Sequence, residues 1–217
     1  MITNSLTLRL RHGLVAVCTL MLVLGVPGRS WAVDDGSPQT VAQEVNAALL
    51  DAMQNAKTLG FAGRYEALEP VLRKAFDFPF MARVAVGRYW RDLADSEKAA
   101  LVEAFAQLSV ATFAGRFNGY SKESFEIKGE EEQPRGAVLV INHLIKSNGE
   151  PVAINYLMRQ PKGGQNWRIV DVFLDAKYSE LAVKRSEYTA VLARDGLQGL
   201  LDIMQSKIKG FANTSQS

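Results

Sequence analysis

Over most of the chain the apolar positions recur with a helical period. Ser37-Pro38 supplies an N-cap followed by proline at the first helical position. Val41, Val45, Ala48, Leu49, Ala52, Met53, Ala56 and Leu59 then keep helical spacing until Gly60 or Gly63 ends the run. A second helix is predicted over 64–76, with Tyr65, Leu68, Val71, Leu72, Ala75 and Phe76 apolar and Pro70 in its first turns or at a break. Asp77-Phe78-Pro79 opens a third, capped by Asp77, whose Phe80, Met81, Val84 and Ala85 face inward until Gly87. Asp95-Ser96 opens the longest helix, to about Tyr120, with a stripe of Leu101, Val102, Phe105, Leu108, Thr112, Phe113 and Phe117.

The period then changes to two. Phe125 and Ile127 mark a first strand, and Glu130 to Arg135 reads as a charged, solvated turn that could also dock a basic partner. Residues 136–145 (GAVLVINHLI) form a second strand, apolar on both faces as a strand buried on both sides would be. Asn148-Gly149 is a hairpin turn signal. Val152, Ile154, Tyr156 and Met158 alternate along a third strand, and Trp167 to Phe173 makes a fourth. Helices return over about 177–194 and 197–209, separated by Gly196. Helices, then a meander, then helices reads as α+β, with helices packed on one face of a four-stranded antiparallel sheet.

The first 32 residues stand apart. Arg9 and Arg11 form a positive region, Leu14 to Val26 is an apolar run, and Pro27-Gly28 breaks it. Ser30 and Ala32 flank Trp31 at the small-residue positions that a signal peptidase reads, so residues 1–32 are expected to be a signal peptide cleaved after Ala32. The run is about 13 residues, short of the ~20 that span a bilayer. Residues 33–217 are then one domain in an export compartment, which the resemblance described below makes the periplasm.

Removing that segment changes the electrostatics. Arg9, Arg11 and Arg29 leave with it, so 22 basic residues face 23 acidic ones, a net charge of −1. No basic surplus remains to hold a phosphate backbone, and nucleic acid is not an expected partner. The only cysteine, Cys18, also leaves, and His143 is the one histidine that stays. This excludes a Cys/His zinc site, a two-histidine metal site and a cysteine nucleophile, leaving only carboxylate sites open, and no cofactor is expected. His143 has no obvious Asp or Ser partner nearby in sequence and reads as a strand-end histidine making an ordinary hydrogen bond.

Two stretches resemble the MlaC family of periplasmic phospholipid carriers, also called toluene-tolerance or auxiliary transport proteins. One runs from Phe76-Asp77-Phe78 through Met81-Ala82 and Gly87 to Trp90-Arg91. The other runs from Val152-Ala153-Ile154-Asn155-Tyr156 through Trp167-Arg168-Ile169-Val170-Asp171-Val172 to Ser179, Arg185 and Asp195-Gly196-Leu197. The stretch SELAVKRSEY (179–188) resembles the hopanoid-associated branch, HpnM, more than the phospholipid branch. Ala176-Lys177-Tyr178 departs from the family, which usually has a glycine before the serine.

The resemblance implies a cone-shaped, NTF2-like fold whose apolar cavity between sheet and helices takes acyl tails. By pattern alone the apolar stripes fill a core; with the resemblance, Phe80, Val84, Phe105, Leu108, Phe113, Val138, Val140, Ile154, Tyr156, Ile169 and Tyr188 become candidate lipid-binding residues. Asp171 and Arg185 occupy positions where the family carries Asp and Arg, and read as an ion pair fastening the last strand to the next helix or as a grip on a headgroup. The implied partners are a phospholipid or hopanoid, an inner-membrane ABC-transporter complex with an MCE-domain protein, and an outer-membrane component. Two other functions fit the pattern: a steroid-isomerase-like enzyme using Tyr156 and Asp171 as its acid–base set, and an adaptor that binds a membrane complex without a ligand.

Overall fold

A computed structural model of the chain describes residues 36–164 and 166–214. The predicted signal segment and its cleavage site lie outside the described residues.

The helix signals act largely where the sequence puts them. α1 (Pro38–Gln54) begins at Ser37, whose hydroxyl accepts the Thr40 N–H at 3.2 Å. It stops at Asn55, earlier than the apolar run does, and α2 (Ala56–Ala75) follows at once with a break at Gly60 (φ 59°, ψ −170°). Pro70 sits inside α2 on an exposed position. α3 (Phe78–Val86) is capped by Asp77, which accepts the Phe80 N–H at 3.0 Å. Gly87 closes α3 at φ 57° and leads into a 3-10 turn over Gly87–Arg91. α4 (Asp95–Arg116) starts where Glu97 accepts the Ala94 N–H at 2.7 Å, and it ends one turn before the expected Tyr120. Buried Arg64 ties α2 to the end of α4, donating to the carbonyls of Ala114 and Ala56, each at 2.9 Å. The Ala114 carbonyl is in the last turn of α4, where helical carbonyls lack partners.

The sheet has five strands, not four. β1 (Ser124–Gln133), β2 (Ala137–Ile145), β3 (Pro151–Arg159), β4 (Arg168–Leu174) and β5 (Tyr178–Ser179) lie in chain order, each antiparallel to the next. β5 is two residues long, too short to show any alternation. Its turn closes with Lys177 N–H donating to Leu174 O at 3.1 Å, while Asp175 and Ala176 sit at φ 50° and 56°. Two central residues at positive φ are the signature of a type I′ turn, usually written with glycine. Ala176 lies in the stretch 176–178 that departs from the resembled family's pattern. Glu130-Glu131-Glu132, expected as a turn, belong to β1 opposite Val140, Leu139 and Val138; the turn lies at Pro134–Gly136.

α5 (Glu180–Thr214) breaks at Gly196 (φ 68°, ψ −168°), as the sequence suggests. The helices pack against the sheet face that carries Val140, Tyr156 and Val172, all buried. β2 is not buried on both sides: Leu139, Ile141, His143 and Ile145 on its other face are only half-buried. The core joins α3, α4 and α5 through aromatic rings. Phe105 meets Phe78 and Tyr188 edge-on, each at 6.3 Å between centroids, and Phe76 meets Phe113 at 5.6 Å.

Candidate functional site

Between α4, the start of α5 and strands β2–β4 the packing leaves a cavity of about 430 Å³. Its floor is apolar and buried: Met53 from α1, Phe76 and Met81 around the start of α3, Ile154 and Val172 from the sheet. Phe113 in the last turn of α4 and Phe117, the residue that caps that helix, stack at 5.9 Å along its wall, which Leu144 and Leu174 also line. Two hydroxyls reach this wall, yet neither offers an unpaired group. Ser109 and Thr112 donate to the carbonyls of Phe105 and Leu108 four residues back, at 2.8 and 2.7 Å. An apolar occupant therefore meets no buried donor or acceptor left wanting.

The rim is the opposite in character. Arg116, Glu123, Lys146, Glu180 and Lys184 line the mouth end, where Arg116, Gly119 and Lys146 are exposed. Burial pushes the Lys184 ammonium down, Glu180 raises it, and the nearby charges of Lys207 and Arg116 lower it again. The arrangement is an apolar pocket with a charged collar, able to hold an amphiphile tail-first.

Of the eleven residues expected to touch lipid, Phe113 and Ile154 line this cavity. Phe105, Leu108, Val140, Tyr156, Ile169 and Tyr188 are buried in the core instead, and Val84 and Val138 are half-buried at its edge. A hydrophobic stripe marks a buried position but not whether a void adjoins it. Phe80 lies half-buried with the Arg159 guanidinium over its ring at 3.8 Å and that of Arg83 at 5.4 Å.

The expected Asp171–Arg185 ion pair is not formed. Asp171 accepts the N–H groups of Val172 (2.8 Å) and Leu181 (3.0 Å) and the hydroxyl of Ser179. Burial pushes its carboxyl up, and these three donors pull it back. The carboxylate thus fastens β4 to the first turn of α5 through hydrogen bonds rather than through a cation. Arg185 points elsewhere: a β-carbon on Gly87 would sit 3.5 Å from its guanidinium nitrogens.

Nor are Tyr156 and Asp171 brought together. Tyr156 pairs with Val172 and its neighbour Leu157 pairs with Asp171, so the two functional groups leave opposite faces of the sheet. Tyr156 is fully buried; burial pushes its phenol well above the ordinary range, and its hydroxyl donates to Asn46 Oδ1 at 3.4 Å. His143, adjacent to the cavity residue Leu144, faces away from the cavity.

One feature of the interior escapes the apolar pattern entirely. Asn46 of α1 and Asn142 of β2, both buried, exchange side-chain amide hydrogen bonds at 2.8 and 3.2 Å. Asn142 also donates to Ile154 O, and Asn155 Oδ1 accepts the Asn142 N–H. The available signal was an asparagine in the middle of GAVLVINHLI.

Fold and site together define an α+β domain with an internal apolar cavity. The chain belongs to the MlaC family: the sequence profile described as MlaC protein matches residues 43–206. Comparison with curated proteins finds no match. Among solved structures, the chain is similar to a phospholipid-binding protein from Ralstonia solanacearum in complex with a phospholipid, with a TM-score of 0.67 and 19% identity over 80% of this chain and 96% of that one. At that identity the likeness carries the fold.

Proposed function

We propose that this protein is a periplasmic lipid carrier that takes the acyl chains of a membrane lipid into the α4–sheet cavity and moves it between the inner and outer membranes. The observation that carries this reading is the cavity itself, an apolar chamber whose two hydroxyls are both paired to backbone carbonyls, beneath a charged collar. Its volume falls in the range of small-ligand sites, about 300–1,000 Å³. Each methylene moved from water into such a chamber contributes about 0.8 kcal/mol, so tails supply the affinity and the collar faces the headgroup. The phospholipid in the related fold from Ralstonia solanacearum supports a phospholipid as cargo; the 179–188 stretch supports a hopanoid. An inner-membrane ABC-transporter complex with an MCE-domain protein and an outer-membrane component would load and unload it. Export would leave Val33 as the first residue.

The test is direct titration of delipidated protein with a phospholipid bearing a fluorescent acyl chain. Saturable, one-to-one binding that an unlabelled long-chain lipid displaces is expected. Absence of binding to any long-chain lipid would refute the carrier reading.

A further inference from the structure

We propose that an arginine face built by α3, the 3-10 turn and the start of α5 docks this protein directly on the phosphate groups of an anionic membrane surface. The run from Phe78 to Arg91 holds Arg83, Arg88 and Arg91 and no acidic residue. Arg88 and Arg91 are three residues apart on the 3-10 turn, where side chains at that spacing eclipse one another. The Arg83 and Arg159 guanidinium groups both lie over one ring, Phe80, at 5.4 and 3.8 Å, and Arg185 packs beside Gly87, the residue before Arg88. Five arginines are thus gathered around α3 and the 3-10 turn.

None of these five enters an ion pair among the described residues, although eight such pairs occur elsewhere on the surface. Four of them, Arg83, Arg88, Arg91 and Arg185, are exposed. In a mature chain of net charge −1, an unneutralised face of this kind is a local excess that the composition hides. The residue type is informative. Every cation of the face is arginine, whose planar fork binds phosphate in pairs of hydrogen bonds, and half-buried Phe80, Tyr89 and Trp90 lie among them. Arginine interleaved with Tyr and Trp suits the headgroup layer of a bilayer. Arg185 is the residue of α5 next to Lys184 of the cavity rim, so the arginine face and the collar share the first turns of α5. Docking there would set the mouth beside the lipid surface. The inference does not depend on the cargo, since docking is measured without any.

The experiment is co-sedimentation of the mature chain with vesicles of phosphatidylglycerol and phosphatidylcholine in equal parts, against phosphatidylcholine alone, at roughly 0.05 M and 0.5 M salt. Binding to the anionic vesicles only, lost at high salt, is expected. The triple variant Arg83→Gln, Arg88→Gln, Arg91→Gln should bind about tenfold or more weakly, with unchanged circular dichroism. The triple variant Lys57→Gln, Lys122→Gln, Lys209→Gln removes the same charge from exposed positions elsewhere and should bind nearly as the parent does. Equal loss in both variants would overturn the assignment, because diffuse charge would then suffice. So would indifference to both vesicles, including the case where the protein is retained on immobilised polyglutamate and the face belongs to an acidic protein.

Discussion

Asn46 and Asn142, 96 residues apart in sequence, face each other in the interior as a reciprocal pair of amide hydrogen bonds that ties α1 to the middle of the sheet. Each supplies the other with an amide acceptor. Asn142→Leu is expected to cost about 2 kcal/mol by leaving the buried Asn46 NH2 without an acceptor, while Tyr156 still donates to the Asn46 oxygen. The double variant Asn46→Leu, Asn142→Leu should cost less than the two single changes added together. Urea denaturation of the four proteins measures the coupling; strict additivity would show that the pair is not a unit.

Asp171 makes a second prediction. It is the common acceptor for two backbone donors and one hydroxyl at the β4–α5 junction. Asp171→Ala removes all three bonds and is expected to destabilise the protein by about 2–4 kcal/mol. Asp171→Asn keeps an oxygen for Val172 and Leu181 and should cost less than half of that. Arg185→Ala should leave stability within about 0.5 kcal/mol, because no ion pair is broken. An Arg185 variant that melts as low as Asp171→Ala would contradict this geometry.

The β4–β5 turn carries strain that a single atom group explains. Ala176 holds φ 56°, a region where a β-carbon costs about 1–2 kcal/mol. Ala176→Gly restores an Asp-Gly turn and is expected to stabilise the fold by about 0.5–1 kcal/mol, after the added flexibility of the unfolded chain is subtracted. A lowered melting temperature would show that the turn does not hold this conformation.

Cavity and core separate at two neighbouring positions of the sheet. Ile154 lines the chamber, whereas Val140 is fully buried and does not. Ile154→Trp should keep the circular dichroism and melting behaviour of the parent while co-purified lipid falls sharply. Val140→Trp overpacks the core and should cost about 1–3 kcal/mol or more. Equal destabilisation by both would mean that the space beside Ile154 cannot accept a side chain.

The helices at Ser37 and Asp77, the breaks at Gly87 and Gly196 and the Asn148-Gly149 hairpin were all legible, because caps and turns act over three or four residues of sequence. β5 was not, since two residues carry no period and its turn lacks the usual glycine. The split at Asn55 was hidden because the apolar spacing continues through it. The site was legible only in part. Periodicity finds faces that leave water and by itself reads them all as core: Phe113 and Ile154, which line the cavity, carry the same signature as Phe105 and Tyr188, which touch each other instead. Whether packing closes or leaves a chamber depends on several elements at once. Arg116 and Lys184 lie 68 residues apart and meet at one rim only through the fold.

The most direct measurement of the carrier account is native mass spectrometry of the protein purified from the periplasm without added lipid, followed by extraction and identification of whatever it holds. The account predicts a population heavier than the mature chain by one long-chain membrane lipid, released on denaturation and reduced in the Ile154→Trp variant. A single species at the mass of the bare chain, together with failure to bind any long-chain lipid after purification, would contradict it.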